Sequence, residues 1–137
     1  MKTYKLLTPG PLTTTDSVKQ EMLFDHCTWD EDYKQITQRI RRELLQLAHV
    51  DETAYTTVLM QGSGTFGVES VISSVIPDDG CLLLLSNGAY GERIAAMCRY
   101  HHISCVHIAQ DYDKIPDRMK AEEALTQHPE ITHIALI

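Results

Sequence analysis

From about residue 55 onward, short apolar runs alternate with longer segments in which apolar residues recur every three or four positions. Such alternation predicts strands joined by helices, the pattern of βαβ units with a parallel sheet. The predicted strands are YTTVLM, CLLLLS, SCVHIA and ITHIALI, and the predicted helices cover about residues 65–76, 88–101 and 116–126. CLLLLS is apolar without alternation, which predicts a central strand covered on both faces. The predicted fold class is therefore α/β, with a mostly parallel sheet and flanking helices.

The first fifty residues follow a different pattern. A turn-rich entry precedes a short helix that Asp16 is predicted to cap, and a longer helix ends near His49. The longer helix carries one apolar stripe, and the predicted helix at 65–76 carries another. We interpret residues 1–52 as an N-terminal arm with helices and residues 53–137 as the sheet domain. The stripe residues are Ile36, Ile40, Leu44 and Leu47 in the arm, and Phe66, Val68, Val71, Ile72 and Val75 in the sheet domain.

Composition and charge exclude several classes of function. The 137 residues are 43% hydrophobic and carry a formal net charge of -7, which argues against sequence-independent binding of nucleic acid. The basic cluster Arg39, Arg41 and Arg42 is accompanied by Glu43 and outweighed by acids elsewhere in the chain, so we interpret it as a solvated helix face. No secretory signal or run of about 18 apolar residues is evident, so no membrane contact and a cytoplasmic location are expected.

The segment GSGTFG (62–67) is the first candidate site. It follows a predicted strand and opens a helix, whose free N–H groups and positive dipole end attract anions. Ser63 and Thr65 add hydroxyl donors, while Gly62 and Gly64 are expected to adopt positive φ and allow a close approach of the ligand. A tight turn whose glycines serve only helix–strand packing is the alternative interpretation.

Dinucleotide binding requires one feature more, an acidic residue at the end of the next strand to bind the ribose hydroxyls. That strand ends at Ser86, Asn87 and Gly88, and the nearby acids Asp78 and Asp79 precede it. A smaller phosphorylated cofactor is therefore favoured over NAD.

Tyr90, after the second predicted strand, belongs to the same predicted sheet edge, because the carboxyl ends of parallel strands meet there. Its ring could cover a flat heterocycle bound beside the glycine turn, or pack within its own domain.

Cysteine and histidine residues suggest two further kinds of site, neither of which we favour. Cys98 and Cys105 flank a pair of histidines, but they fall on a predicted helix and a predicted strand, so no metal site is predicted. His26 and Cys27 adjoin in a predicted loop without a third catalytic partner. The four cysteines show no CxxC spacing and are expected to be reduced thiols.

Three motifs together resemble the class V aminotransferases: TPGP (8–11), QGSGT (61–65) with Glu69, and NGxYGxR (87–93). The resemblance spans the chain and implies the N-terminal part of the type I fold of pyridoxal-phosphate-dependent transferases. The run MLFDHCTWDEDY (22–33) is most similar to class members that use 2-aminoethylphosphonate and pyruvate; alanine–glyoxylate and serine–pyruvate members share the turns but not this run.

The resemblance also implies roles for individual residues. Ser63, Gly64 and Thr65 would bind the phosphate of pyridoxal 5'-phosphate, and Tyr90 would stack on its ring. Thr8, Pro9 and Gly10 would line the substrate pocket. The complete enzyme would be a homodimer that converts 2-aminoethylphosphonate and pyruvate to phosphonoacetaldehyde and alanine.

The Schiff-base lysine of the family has no counterpart in the chain. None of its six lysines occupies a position like that of the Schiff-base lysine, so no catalytic residue is assigned. The chain is therefore expected to be an N-terminal piece that is inactive alone. A non-catalytic phosphate-binding or dimerising module is the alternative from a different functional class.

Overall fold

The structure, a computed structural model, describes residues 4–8 and 10–137. The chain divides into two compact units, one ending at Leu59 and the other comprising Met60–Ile137. The first unit contains the helices α1 (Asp16–Glu21) and α2 (Glu31–Leu47). The elements of the second are, in chain order, α3 (Gly64–Val75), β1 (Cys81–Ser86), α4 (Ala89–Tyr100), β2 (Ser104–Ala109), α5 (Arg118–Gln127) and β3 (Ile131–Leu136). No described helix has the length and apolar character needed to cross a membrane.

The sheet of the second unit is parallel, with the strand order β2-β1-β3. All six residues of β1 are buried, which confirms the predicted central position of CLLLLS. Successive side chains of a strand point to opposite faces. Leu82 and Leu84 accordingly pack with residues of α3 and α4, and Leu83 and Leu85 pack with Ala124 of α5. The predicted α/β class, with flanking helices, is confirmed.

The prediction that YTTVLM (55–60) forms a strand is wrong, because the segment has no regular secondary structure. A strand requires a neighbour for its N–H and C=O groups. Both sides of β1 are already paired, and no strand in the described ranges pairs with residues 55–60. Thr57 instead bonds with α2: its carbonyl accepts from Arg41 Nε at 2.9 Å, and its hydroxyl donates to the Arg41 carbonyl.

Two further details of the helices differ from the predictions. Thr15, not Asp16, caps α1, since its hydroxyl accepts a hydrogen bond from the Val18 N–H. The apolar stripes of α2 and α3 are largely exposed, and Ile72 alone of their residues is buried. Periodicity predicted these helices correctly, but it did not predict that most of their apolar side chains are exposed.

The thiols differ sharply in their surroundings, although all four are free, as expected. Cys98 of α4 is 1% exposed, and Cys105 of β2 packs against the same core cluster. Burial, which disfavours the thiolate, raises the pKa of Cys98 and raises the pKa of Cys105 to about 12. Cys27, in the first unit, is exposed.

Alkylation should therefore distinguish these thiols. The thiolate is the nucleophile, so iodoacetamide at pH 8 should modify Cys27 quickly and leave Cys98 and Cys105 unmodified in the native chain. Peptide mass spectrometry against time measures each rate. In urea all four cysteines should react at similar rates, which provides the control. Fast native modification of Cys105 would contradict the burial of β2 against α4.

Candidate phosphate site at the start of α3

The segment GSGTFG forms the start of α3, and Ser63 is its N-cap. The Ser63 hydroxyl oxygen accepts from the Phe66 N–H at 3.2 Å, and the Ser63 carbonyl accepts from the Gly67 N–H at 2.9 Å. The first bond satisfies one of the free N–H groups with which any helix begins, and the second is the first backbone bond of the helix itself. The Gly64 and Thr65 N–H groups have no acceptor among the described residues and so remain available to a ligand.

The hydroxyl groups of the segment add two donors. Ser63 Oγ uses an acceptor site in the cap, and Thr65 Oγ1 accepts from Arg93 Nη1 at 2.8 Å. A hydroxyl that accepts one bond still has its own proton to donate. Two N–H groups and two O–H groups thus lie at the positive end of the α3 dipole, a donor set that suits the oxygens of a phosphate.

The expected role of the glycines is corrected by the structure. No glycine in the described residues adopts a left-handed φ, so Gly62 and Gly64 do not provide that conformation. A Cβ on Gly62 would lie 2.2 Å from Cδ1 of Phe66, whereas a Cβ on Gly64 would meet no atom within 4 Å. Gly62 therefore allows close packing of the Phe66 ring, and open space surrounds Gly64, where a ligand would approach.

Tyr90 lies in the first turn of α4, directly after β1, and is 65% exposed. Two residues of the preceding turn contact the segment that follows β2. Asn87 Nδ2 donates to the Lys114 carbonyl at 2.8 Å, and Gly88 lies against the Tyr112 ring. The turn before Tyr90 is thus attached to the segment that follows β2, and the exposed Tyr90 ring is accessible to a ligand.

Gly91 and Ser86 fix α4 on the sheet. A Cβ on Gly91 would lie 2.0 Å from Cβ of Ser86, the last residue of β1, which is itself 2% exposed. Ser86 Oγ is hydrogen-bonded to Nε2 of His107 in β2 at 2.7 Å, and Glu92 Oε1 lies 3.7 Å from the same nitrogen. His107 could not be identified from local sequence, because it lies 21 positions from Ser86 on another strand.

Arg93 connects the two motifs. Besides its bond to Thr65, its guanidinium carbon lies 5.7 Å from the centre of the Tyr90 ring. The structure therefore links Ser63, Gly64 and Thr65 to Tyr90 through a residue to which the sequence analysis gave no role. Its position three residues after Tyr90 could have indicated this, since residues three apart on a helix share a face.

Glu69, one turn further along α3, holds the other end of α4. Its Oε1 is hydrogen-bonded to His101 Nε2 at 2.7 Å, and both side chains are partly buried. Together with the Arg93–Thr65 bond, this contact ties α3 to α4 at two points.

The predicted substrate-pocket residues belong to the first unit. The Thr8 hydroxyl donates to the Pro11 carbonyl and closes the turn, and Gly10 is exposed. Pro9 lies outside the described residues. Their role in a substrate pocket stays a prediction. Over residues 4–8 and 10–137, no group of three or more His, Cys, Asp or Glu side chains is placed to hold a metal ion.

Known proteins resemble the chain along its whole length. It is 54% identical over 137 residues to the 2-aminoethylphosphonate–pyruvate transaminase of Lysinibacillus sphaericus strain C3-41, and 53% identical over 135 residues to that of Bacillus thuringiensis strain Al Hakam. The matches cover 100% and 98% of the chain but 37% of each relative. The chain thus spans about a third of the length of these relatives. No protein-family model matches it.

Solved structures show the same fold. Pyridoxamine–pyruvate aminotransferase from Mesorhizobium loti superposes with a TM-score of 0.78 at 21% identity, over 96% of the chain and 33% of that structure. Alanine–glyoxylate aminotransferase from Nostoc sp. superposes with a TM-score of 0.68 at 19% identity, over 99% of the chain and 37% of that structure. The predicted fold, the N-terminal part of the aminotransferase large domain, is confirmed. The chain is therefore similar over its whole length to the N-terminal portion of 2-aminoethylphosphonate–pyruvate transaminases, and it shares its fold with pyridoxamine–pyruvate aminotransferase.

Proposed function

We propose that this chain supplies the cofactor-phosphate site of a transaminase that moves the amino group of 2-aminoethylphosphonate to pyruvate. The main support is the donor set at the start of α3, in a chain 54% identical to a transaminase of that name. The products are phosphonoacetaldehyde and alanine. Because the match covers 37% of that relative, the activity belongs to the complete enzyme.

Pyridoxal 5'-phosphate is the proposed cofactor, and the residues present fit it. Its phosphate would accept from the Gly64 and Thr65 N–H groups and from the Ser63 and Thr65 hydroxyls, while the exposed Tyr90 ring would cover the pyridine face. When bound, the cofactor would supply an aldehyde carbon that accepts and releases the amino group, and a ring that withdraws electrons from it. This chain's own residues bind the phosphate, orient the ring and hold α4 against the sheet.

The remaining roles rest on the same resemblance. Thr8, Pro9 and Gly10 would contact the substrate, and a second copy of the complete enzyme would form the homodimer. A relative of alanine–glyoxylate type is the alternative within the class; the solved structure of that name is 19% identical to the chain, against 54% for the phosphonate transaminase. A phosphate-binding module without catalysis is the alternative outside it.

A fusion protein tests the proposed activity. The chain would replace the matched part of the Lysinibacillus sphaericus transaminase, and the unaltered relative would serve as the positive control. The fusion should form alanine from 2-aminoethylphosphonate and pyruvate, whereas the 137-residue chain alone should form none. A folded fusion that binds pyridoxal phosphate but lacks activity would contradict the proposed reaction, and one that does not bind it would contradict the cofactor site.

Substitution of Ser63 by alanine should weaken pyridoxal phosphate binding by the fusion. A hydrogen bond to a charged group contributes about 1.5–3 kcal/mol, so the dissociation constant should rise by one to two orders of magnitude, as measured by cofactor absorbance. Asp117→Ala is the matched control. Asp117 caps α5 through the Met119 and Lys120 N–H groups, so both variants lose a helix cap, but only Ser63→Ala removes a proposed ligand. Equal affinities of Ser63→Ala and the unsubstituted protein would refute Ser63 as a phosphate ligand.

A further inference from the structure

We propose that Arg93 is the positioning and charged residue of the phosphate site: it directs the Thr65 hydroxyl and supplies the positive charge beside the bound phosphate. This inference rests on the proposed function and adds a residue and an electrostatic role to it. It is carried by the position of the guanidinium, which hydrogen-bonds Thr65 at 2.8 Å and lies 5.7 Å from the Tyr90 ring centre.

The bond from Arg93 fixes the direction of the Thr65 hydroxyl proton. Arg93 can only donate, so Thr65 Oγ1 is the acceptor in this bond. The Thr65 O–H then points away from Arg93, and the hydroxyl has no other hydrogen bond among the described residues. A ligand at the start of α3 thus meets a hydroxyl that already accepts one hydrogen bond and whose proton is available for a phosphate oxygen.

Arg93 also brings a positive charge to the start of α3. The donors at the start of α3 are neutral groups, in a chain of formal net charge -7. Arg93 makes no ion pair within the ranges that the structure describes. The one acid of α3 and the one acid of α4 contact histidines instead, Glu69 with His101 and Glu92 with His107. The positive charge of Arg93 is therefore not neutralised by a neighbour, and a phosphate group would be its counter-ion.

The turn of α4 that carries Arg93 is held in place by its packing on β1. Arg93 follows Gly91, whose contact with buried Ser86 fixes the first turn of α4 on β1. Because Tyr90 and Arg93 share one face of this turn, the same anchor positions both side chains. Arg93 thereby couples the position of the phosphate to that of the ring-stacking tyrosine.

Binding of three probes by the 137-residue chain tests the inference. Inorganic phosphate, pyridoxal 5'-phosphate and pyridoxal are titrated separately while NMR follows the amide signals of Gly64 and Thr65. Arg93→Met should weaken binding of both phosphate-containing probes by about tenfold and leave pyridoxal binding unchanged, because pyridoxal lacks the phosphate. The difference in affinity between Arg93→Met and the unsubstituted chain should be smaller in 1 M salt, because salt screens an exposed charge.

Two other variants separate charge from hydroxyl positioning. Arg93→Lys keeps the charge without the fixed fork of donors and should recover part of the phosphate affinity. Thr65→Val removes the acceptor of Arg93, and its effect should not add to that of Arg93→Met if the two residues act together. Arg99→Met is the matched control, since Arg99 lies on the same helix about 9 Å further along and should not affect any probe.

The outcomes distinguish this inference from the function on which it rests. If the unsubstituted chain binds both phosphate-containing probes and Arg93→Met binds them equally well, the inference fails and the phosphate site stands. Equal losses for pyridoxal and pyridoxal phosphate would mean that Arg93 acts on the fold or on Tyr90, and would also overturn it. If the unsubstituted chain binds neither phosphate-containing probe, the phosphate site and the role of Arg93 fail together.

Discussion

Replacement of Gly91 by alanine should lower the free energy of unfolding by at least about 3 kcal/mol, the upper end of the usual cost of overpacking. Helix propensity alone predicts the opposite sign, since alanine is favoured over glycine by about 1 kcal/mol inside a helix. The contact decides the sign: the new Cβ would lie 2.0 Å from Cβ and 3.1 Å from Cα of Ser86, which belongs to the central strand and is unable to move aside. Urea denaturation measures the difference.

The chain contains a matched control for this substitution. Gly67 lies in the first turns of α3, and a Cβ there would meet no atom within 4 Å. Gly67→Ala should therefore raise the free energy of unfolding by about 0.5–1 kcal/mol, because propensity acts without a clash. The same substitution of glycine by alanine is thus expected to raise the free energy of unfolding in α3 and to lower it in α4. A Gly91→Ala protein as stable as the unsubstituted chain would show that α4 does not rest on the end of β1.

Substitution of Leu84 by alanine should cost about 3–5 kcal/mol of stability. Leu84 is 0% exposed at the centre of β1, so truncation loses its burial and leaves a cavity that neighbours on two paired strands cannot fill. Circular dichroism during urea denaturation measures the loss. Leu47→Ala is the control: Leu47 is 75% exposed at the end of α2, where such changes cost within about 0.5 kcal/mol. Equal losses at the two positions would contradict the central placement of β1.

These stability effects concern function as well, since the same contacts hold the candidate site. Gly91 sets α4 on the sheet, and α4 carries Tyr90 and Arg93. Ser86 occupies the end of β1, where a dinucleotide-binding protein would place an acidic residue for the ribose. Here its hydroxyl bonds with His107 beneath Gly91, so this position supports α4 instead of binding a sugar.

Much of the candidate site was predictable from local sequence. Ser63 is a typical N-cap residue before a helix, and the strand before Tyr90 was recognisable from its apolar run, so the positions of both features followed from nearby residues. The role of Arg93 was not predictable in this way. Its partner Thr65 lies 28 positions away, and only the packing of α3 beside α4 brings the two together.

The helices α1 to α5, the three strands of the sheet and the glycine turn that opens α3 were predictable from local sequence, because periodicity and turn chemistry act over a few neighbouring residues. Features that required a partner distant in the chain depended on the tertiary structure. It left YTTVLM without a neighbouring strand, gave Gly91 its contact with Ser86 and joined Arg93 to Thr65. Strand hydrogen bonds, close packing and hydrogen bonds between distant side chains depend on how elements are placed in space, and a local pattern of polar and apolar residues does not contain that information.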